Sequence, residues 1–387
     1  MDVIDALRGV AILLVVIYHA GPLDWRLPPR TDDGWIVLPQ LGAWWLALPL
    51  LHFGFVGVHA FFVLSGFCIH LRAARRRQHL PSVASVAALG TRNFFLRRFF
   101  RIYPPYWIAL AIFGIAAPLV ASRFFHHADA HPATAGDLAL HATMLHGLFE
   151  KTIFSINPAF WSLATEEQFY LAYPLLSLAI ARFGIGRVLT ASLLLSLVWR
   201  GAVLGLIDPT VANFSSYRVW LHGFFVPRWF EWILGCLLAE AVADPLQPLR
   251  GRGRPLAILG AILLVVGMGC RVHVAIDKLL SDAFFGSGFA ALTGAMLAAK
   301  TRGGWVQSGL SAIGRRAYSI YLVHQPILDG STLILPIRIA IAAAASVVFS
   351  VVCERPFEKR SQRVGLGPDS PEPGLARART GDENIHR

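Results

Sequence analysis

Two ionisable residues, Arg8 and His19, lie eleven positions apart in an otherwise apolar segment near the start of the chain. Eleven residues of α-helix advance about 16 Å and turn about 20° past three full turns, so both side chains share one helix face. An imidazole can act as a general base near neutral pH, and a guanidinium can bind phosphate. The bland alternatives are a membrane-surface anchor for Arg8 and a histidine satisfied at the opposite surface for His19. Ionisable groups inside membranes are costly and usually functional, which favours chemistry at His19.

Two more histidines stand in apolar segments. His59 lies with Ser65 in the segment 53–67, and His324 lies two residues before Pro326. Either histidine could simply bond a neighbouring helix, and Ser65 is best explained that way. We expect His19 to carry the chemistry, with His59 as a helper and His324 as a further candidate for a catalytic or structural role.

A basic, aromatic block at 97–107 contains Arg98 and Arg101, three residues apart and therefore on one helix face. Paired guanidinium groups suit phosphate, because each can bind it through two parallel hydrogen bonds. The block could equally be a cytoplasmic charge signal beside an aromatic belt. The prolines at 104 and 105 are expected to bend the chain where it enters the membrane.

Adjacent carboxylates, Glu166 and Glu167, open the predicted helix 159–181. They point about 100° apart, so only one of them can face a given partner squarely. Glu166 shares a face with Tyr170 and Tyr173. It could cap the helix N-terminus, or it could orient a buried histidine or arginine.

The connection before that helix is rich in histidine, and its members are His126, His127, His131, His141 and His146. His127 and His131 could share a metal on a helix, but no third ligand has a fixed place, so solvated loop histidines are the favoured interpretation and no metal site is predicted. The four cysteines lack metal spacing and are interpreted as small buried hydrophobes.

Helices must position these residues, because the composition is that of a membrane protein. The 387 residues are 55% hydrophobic and only 15% charged, with a mean hydropathy of +0.56. Soluble enzymes, secreted disulfide scaffolds and nucleic-acid-binding domains are excluded, and a spanning chain without alternating strand patterns must be all-α. Ten apolar segments are candidate transmembrane helices: 5–20, 52–71, 103–121, 159–181, 187–207, 222–243, 255–271, 282–300, 312–329 and 333–353.

The net charge of +12 is interpreted through topology. With a cytoplasmic N-terminus and ten spans, 25 of the 35 basic residues fall on the cytoplasmic side. We therefore expect both termini inside, a transmembrane domain over 1–360, and a disordered cytoplasmic tail over 361–387, which is rich in Pro, Gly and charge.

Taken together, the motifs resemble those of the acyltransferase-3 family of multi-pass membrane acyltransferases. They occur in the family's order over about residues 1–360: Arg8-x10-His19, Phe61-Phe-Val-Leu-Ser-Gly-Phe67, Arg98-x-x-Arg101-Ile-Tyr-Pro, Trp161-Ser-Leu-x-x-Glu166-x-Gln-Phe-Tyr170, Tyr318-Ser-Ile-Tyr-Leu-x-His324-x-Pro326 and Glu354-x-Pro356-Phe. Position 59 departs from the family's pattern, because many members carry an acid there.

The resemblance implies a ten-helix bacterial inner-membrane enzyme that moves an acyl group, usually acetyl, from cytoplasmic acyl-CoA to an extracytoplasmic glycan or lipid-linked glycan. It implies catalytic roles for His19, Glu166, His59 and His324, donor binding by Arg8, Arg98 and Arg101, and no permanently bound cofactor. His19 would be the general base or a transient acyl carrier. The alternatives are a transporter or flippase of a glycan or lipid-linked sugar, and a non-catalytic membrane scaffold.

Overall fold

Helices make up every element of the computed structural model, which describes residues 2–21, 53–77, 90–117, 133–207, 218–299, 304–329 and 333–364. The all-α prediction is confirmed for these residues. The helices are α1 (Asp2–Ala20), α2 (Gly57–Arg77), α3 (Thr91–Ala111), α4 (Ala135–Ala142), α5 (Phe160–Phe183), α6 (Ile185–Leu206), α7 (Trp229–Ala243), α8 (Gly253–Cys270), α9 (Asp282–Ala298), α10 (Trp305–Gly314), α11 (Ala317–Asp329), α12 (Leu335–Phe349) and α13 (Arg355–Arg363).

Short turns of tighter or wider helix extend several of these elements. A 3₁₀ turn, Gly54–Val56, leads into α2, and π-helical turns follow α3 over Ile112–Ala116 and α12 over Ser350–Glu354. A further π-helical turn, Asp277–Ser281, precedes α9, and Val219–Gly223 and Val226–Arg228 precede α7. Such π-turns frequently lie at functional sites, and two of them contribute residues to the cavities described below.

Seven helical stretches in the described part of the chain are long and apolar enough to cross a membrane. They are Asp2–Ala20, Gly54–Arg77, Thr91–Ala116, Ile185–Leu206, Gly253–Cys270, Val274–Ala298 and Leu335–Arg363. Three predicted spans fall short. The run 166–168 makes α5 too polar, while α7 has 15 residues and α11 has 13. At 1.5 Å per residue neither of the short helices covers a hydrocarbon core of about 30 Å. The count of ten and the orientation stay predictions.

Lipid-facing surface explains the outward apolar side chains. Only 11% of the α8 span and 22% of the α6 and α12 spans are buried within the protein. Their exposed residues are large and aliphatic, including Val198, Leu206, Val265, Val348 and Val352. Hydrocarbon, rather than water, is the environment in which such a surface is favourable, so these helices lie at the periphery of a membrane bundle.

Close glycine contacts bring the inner helices together. A Cβ on Gly66 of α2 would collide with the backbone carbonyl of Trp232 in α7, and these two helices pack most extensively of all. Gly9 of α1 meets Leu310 of α10, and Gly314 meets Asp5 in the same way. Small residues at such crossings are how membrane helices gain close packing. The contacts hold Arg8 beside the end of α10.

Three predicted segments have different boundaries. The basic block is not a bend before a span: α3 begins at Thr91 and runs through both prolines. The segment 222–243 is a regular helix only from Trp229, after two irregular turns. The segment 312–329 breaks at 315–316 into α10 and α11. The predicted tail lies outside the described residues from 365 onward, and its first residues complete α13, where Ser361 Oγ donates to the Arg97 carbonyl.

Candidate functional site

A cavity of about 490 Å³ opens among α1, α2, α3, α5, α11 and α13 and is lined by six arginines and three carboxylates. We call it the arginine cavity. Its charged lining residues are Arg8, Arg98, Arg101, Arg315, Arg316, Arg355, Asp5, Glu166 and Glu358. All three arginines predicted for donor binding are therefore brought together, although 90 residues separate the first from the second in sequence. An anion is the ligand that this surplus of guanidinium groups would bind.

The three predicted arginines have different local partners. Arg8 donates from Nη1 to Asp5 Oδ1 at 3.2 Å and from Nη2 to Cys68 Sγ at 3.3 Å. The Arg98 guanidinium lies 5.7 Å from the centre of the Tyr170 ring. Arg101 forms ion pairs with Glu358 at 2.7 Å and with buried Glu354 at 3.1 Å. Arg101 is thus held between two carboxylates that any bound anion must compete with.

Sequence reasoning missed three of the six arginines. Arg315 and Arg316 entered the topology count only, and the structure places both at the break between α10 and α11, facing the arginine cavity. Arg355 begins α13 and lines the same cavity. A pair of arginines inside a segment otherwise apolar enough to span a membrane was the signal that could have identified them.

Glu166 pairs with a serine rather than with a histidine. It lies in the second turn of α5, which begins at Phe160, so the N-terminal capping interpretation is wrong. Ser65 Oγ donates a short hydrogen bond to Glu166 Oε1, and Trp232 Nε1 donates to Ser65 Oγ at 3.2 Å. The pair links α2, α5 and α7 at the wall of the arginine cavity.

A second, smaller cavity of about 210 Å³ lies next to the first. We call it the histidine cavity, because His19, His59 and His222 line it. Val58 and Tyr321 line both cavities, so the two spaces share this wall. Helix α1 contributes Arg8 to the arginine cavity and His19 to the histidine cavity. The predicted separation of about 16 Å along α1 is therefore the separation between the two cavities.

His19 and His324 are direct neighbours. His324 Nε2 lies 3.2 Å from His19 Nδ1, and His19 Nδ1 lies 2.9 Å from the Val15 carbonyl. His324 Nδ1 lies 2.9 Å from the Tyr321 carbonyl, which fixes the proton on that nitrogen. His324 Nε2 is then an acceptor, His19 Nδ1 is the donor to it, and the lone pair of His19 resides on Nε2. This is the tautomer that a general base requires.

His59 lies on the same cavity but in a separate network. Its Nδ1 is 2.8 Å from Glu231 Oε2, and its Nε2 is 3.5 Å from Asp282 Oδ1. Arg228 contacts the same two carboxylates, at 3.3 and 2.7 Å. Position 59, where relatives often carry an acid, is therefore flanked by acids from α7 and α9. Sequence reasoning missed Glu231 and Asp282, whose contacts with α2 are more than 170 residues away along the chain.

The connection between α3 and α5 contains a buried histidine pair. The rings of His141 and His146 stack with centroids 3.9 Å apart and an angle of 9°. Burial, followed by the neighbouring His141 charge, lowers the pKa of His146 to about 3, and burial lowers the pKa of His141. His126, His127 and His131 lie outside the described residues. Within the described ranges no three histidine, cysteine or acidic side chains cluster as metal ligands.

Apolar helices around two adjoining polar cavities define a multi-pass membrane protein with an ionisable interior. The chain belongs to the acyltransferase-3 family, whose profile, an acyltransferase domain, matches residues 1–355. The family resemblance predicted from the motifs is confirmed. No solved structure gives a significant match.

Curated relatives are similar over part or most of the chain. The peptidoglycan O-acetyltransferase OatA of Listeria monocytogenes is 25% identical over 406 residues, which cover 94% of this chain and 56% of that protein. A Bacillus subtilis protein provisionally named peptidoglycan O-acetyltransferase YrhL is 25% identical over 252 residues, 61% of this chain and 32% of its own. A Staphylococcus aureus protein provisionally named an O-acetyltransferase is 28% identical over 180 residues, 46% of this chain and 24% of its own. The chain spans about half of OatA and less of the other two.

Proposed function

We propose that this protein is a membrane O-acyltransferase, which moves an acetyl or similar acyl group from acyl-CoA to a glycan hydroxyl. The observation that carries the proposal is the pair of adjoining cavities, one rich in arginine and one bearing His19, which meet at Val58 and Tyr321. Family membership favours group transfer over transport or scaffolding. The names of OatA and YrhL suggest peptidoglycan as one acceptor. Other surface polysaccharides fit the same chemistry.

The donor would bind in the arginine cavity. CoA carries several phosphate charges, and six arginines against three lining carboxylates offer complementary charge. The flexible arm of CoA would then run along α1 past Val58 and Tyr321, which brings the thioester to His19. Glu166, bonded to Ser65 on the cavity wall, would fix the position of α2 relative to α5 and receive protons in the water-poor interior.

The transfer step would take place in the histidine cavity. His19 Nε2 accepts the proton of the acceptor hydroxyl, and the hydroxyl oxygen attacks the thioester carbonyl carbon. The new carbon–oxygen bond forms as the carbon–sulfur bond breaks, and CoA leaves as a thiolate. The proton held by His19 then passes to the thiolate, which restores the base. His324 would hold His19 in the required tautomer, and His59 with its two acids would contact the acceptor.

Orientation follows from the charge distribution. With the N-terminus in the cytoplasm of a bacterial inner membrane, Arg8 and the arginine cavity face the cytoplasmic acyl-CoA pool, and the histidine cavity faces the extracytoplasmic acceptor. Acyl-CoA is thereby a co-substrate, and the lipid bilayer is the environment that separates donor from acceptor.

Acetyl transfer by the purified chain in lipid nanodiscs tests the proposal. Acetyl-CoA with a labelled acetyl group and a peptidoglycan fragment are supplied, and labelled glycan is measured by mass spectrometry. We expect labelling by the wild type and a loss of about 10²- to 10⁴-fold for His19→Gln, which can hydrogen-bond but cannot act as a base. Glycan that moves across a bilayer unmodified, without labelling, would favour the transporter instead.

A further inference from the structure

The histidine cavity carries an excess of positive charge in the described part of the chain. The residues that line it include five cations and two carboxylates. The cations are Arg200, Arg218, Arg228, Arg271 and Lys278, and the carboxylates are Asp277 and Asp282. Glu231, behind Arg228, adds a third acid. Even so, cations outnumber acids by two within a polar pocket of the membrane bundle, where charge is costly without a counter-ion.

Each lining carboxylate is shared by two cations. Asp282 Oδ2 is 2.5 Å from Arg200 and 2.7 Å from Arg228. Asp277 Oδ2 is 3.0 Å from Lys278, while its Oδ1 is 3.7 Å from Arg271. One negative charge between two positive ones leaves a positive field at both places, and a second anion would stabilise it.

The two cation pairs are not equivalent. Arg200 is only 2% exposed and also donates to the carbonyls of Pro227 and Lys278, so it is committed to the protein. Lys278 has a side chain that is 25% exposed, and Arg271 holds Asp277 only at long range. The pair Lys278 and Arg271 is therefore the one that can reach a ligand.

Aromatic rings accompany the cations. Arg271 lies 4.2 Å from the centre of the Phe55 ring, and Arg218 lies 4.2 Å from that of Phe154. Phe55, Phe154 and Trp161 all line the cavity. Flat apolar faces suit the C–H face of a sugar ring, and guanidinium groups beside them suit an acidic substituent on that sugar.

We infer that the histidine cavity binds an anionic group of the acceptor, a carboxylate or a phosphate, through Lys278 and Arg271. The acceptor is thus an acidic glycan or a sugar on a phosphate-bearing lipid carrier. This inference rests on the proposed function only in naming the bound molecule as the acceptor. The binding site itself requires no acyl donor.

Calorimetric titration of the full chain in neutral-lipid nanodiscs, with no acyl donor present, tests the inference. Three probes share one hexose: the methyl glycoside of its uronic acid, the matching carboxamide, and a short prenyl diphosphate sugar. At least one anionic probe should bind about 10- to 150-fold more tightly than the carboxamide, the range expected for one charge-assisted contact. Selective binding of the uronate identifies a glycan carboxylate, and selective binding of the diphosphate identifies a lipid carrier.

Charge variants assign the binding to this cavity. Lys278→Met should remove most of the preference for the anion, Lys278→Arg should keep it, and Asp277→Asn, which removes a competing acid, should strengthen it. Arg315→Gln in the arginine cavity and Lys151→Gln on the exposed connection before α5 are matched controls that should leave it unchanged.

Equal binding of all three probes to the wild type would overturn the inference, and so would an anion preference unaltered by Lys278→Met and Asp277→Asn. Because the two variants act in opposite directions, a folding defect in one leaves the other decisive. A protein that binds the anion but transfers no acetyl group would refute the proposed function and leave this inference intact.

Discussion

His324 offers the sharpest test of how the site holds its base. Its Nε2 accepts from His19 Nδ1 at 3.2 Å, while His19 keeps a second contact with the Val15 carbonyl at 2.9 Å. Replacing His324 with leucine removes one of two restraints on the tautomer. A typical hydrogen bond contributes about 0.5–1.5 kcal/mol, so kcat should fall about 2- to 13-fold.

The assay is steady-state acetyl transfer by purified protein, with kcat and KM measured separately for the donor. His324→Gln retains a carbonyl oxygen that can accept from His19, so it should recover much of the activity lost in His324→Leu. KM for acetyl-CoA should be unchanged, because His324 does not line the arginine cavity. His19→Gln should be slower than either variant by more than tenfold.

A matched control separates positioning from general damage. His70 is another fully buried histidine, which contacts Glu240 and Tyr173 and lines neither cavity. His70→Gln should lower thermal stability but leave kcat per folded molecule unchanged. If His324→Leu and His324→Gln both lost more than about 10²-fold while His19→Gln kept a tenth of the activity, the base would be His324.

Four further outcomes are expected. Arg98→Ala/Arg101→Ala should weaken CoA binding, measured by calorimetry, by at least about tenfold, whereas Glu358→Gln should tighten it, because Glu358 competes for Arg101. The folded-state pKa of His146, about 3, lies below its ordinary value of 6.5, so the neutral ring stabilises the fold above pH 6.5 and this contribution is lost as the pH falls from 6.5 toward 3. The stability change should be on the order of 2 kcal/mol at pH 5, measured by thermal unfolding, and His146→Phe should flatten that dependence. Gly66→Ala should lower the melting temperature through a cost of about 1–3 kcal/mol, since a Cβ there meets backbone of α7. A reporter fused after the last residue should be active only in the cytoplasm, and activity on the other side would reverse the assignment of the two cavities.

Local pattern predicted the helices and the residues that face the interior, but not the pairing among them. Apolar length and periodicity identified every helical segment of α1, α2, α5 and α6, because lipid forces the backbone to satisfy itself within each helix. The 3.6-residue repeat placed Arg8 and His19 on one face. These are properties of a single helix and need no knowledge of its neighbours.

Contacts between distant helices could not be predicted in that way. His19 meets His324 across 305 residues, and Arg101 is held by Glu354 and Glu358 from the far end of the chain. One sequence contains no signal for which helices adjoin. The break at 315–316 was missed for a related reason, since the apolar residues on both sides resemble one continuous span until packing against α1 is known.

Helix α1 fixes a length as well as two positions. Because Arg8 and His19 belong to one rigid element, the span between phosphate site and base is set by eleven residues of helix, about 16 Å, and does not depend on how the bundle breathes. A donor is consequently selected by its reach: a short acyl thioester without the phosphate-bearing arm can satisfy only one end. Inserting a single residue between the two positions would rotate His19 by about 100° relative to Arg8 and take the base out of line with any donor, however tightly that donor is held.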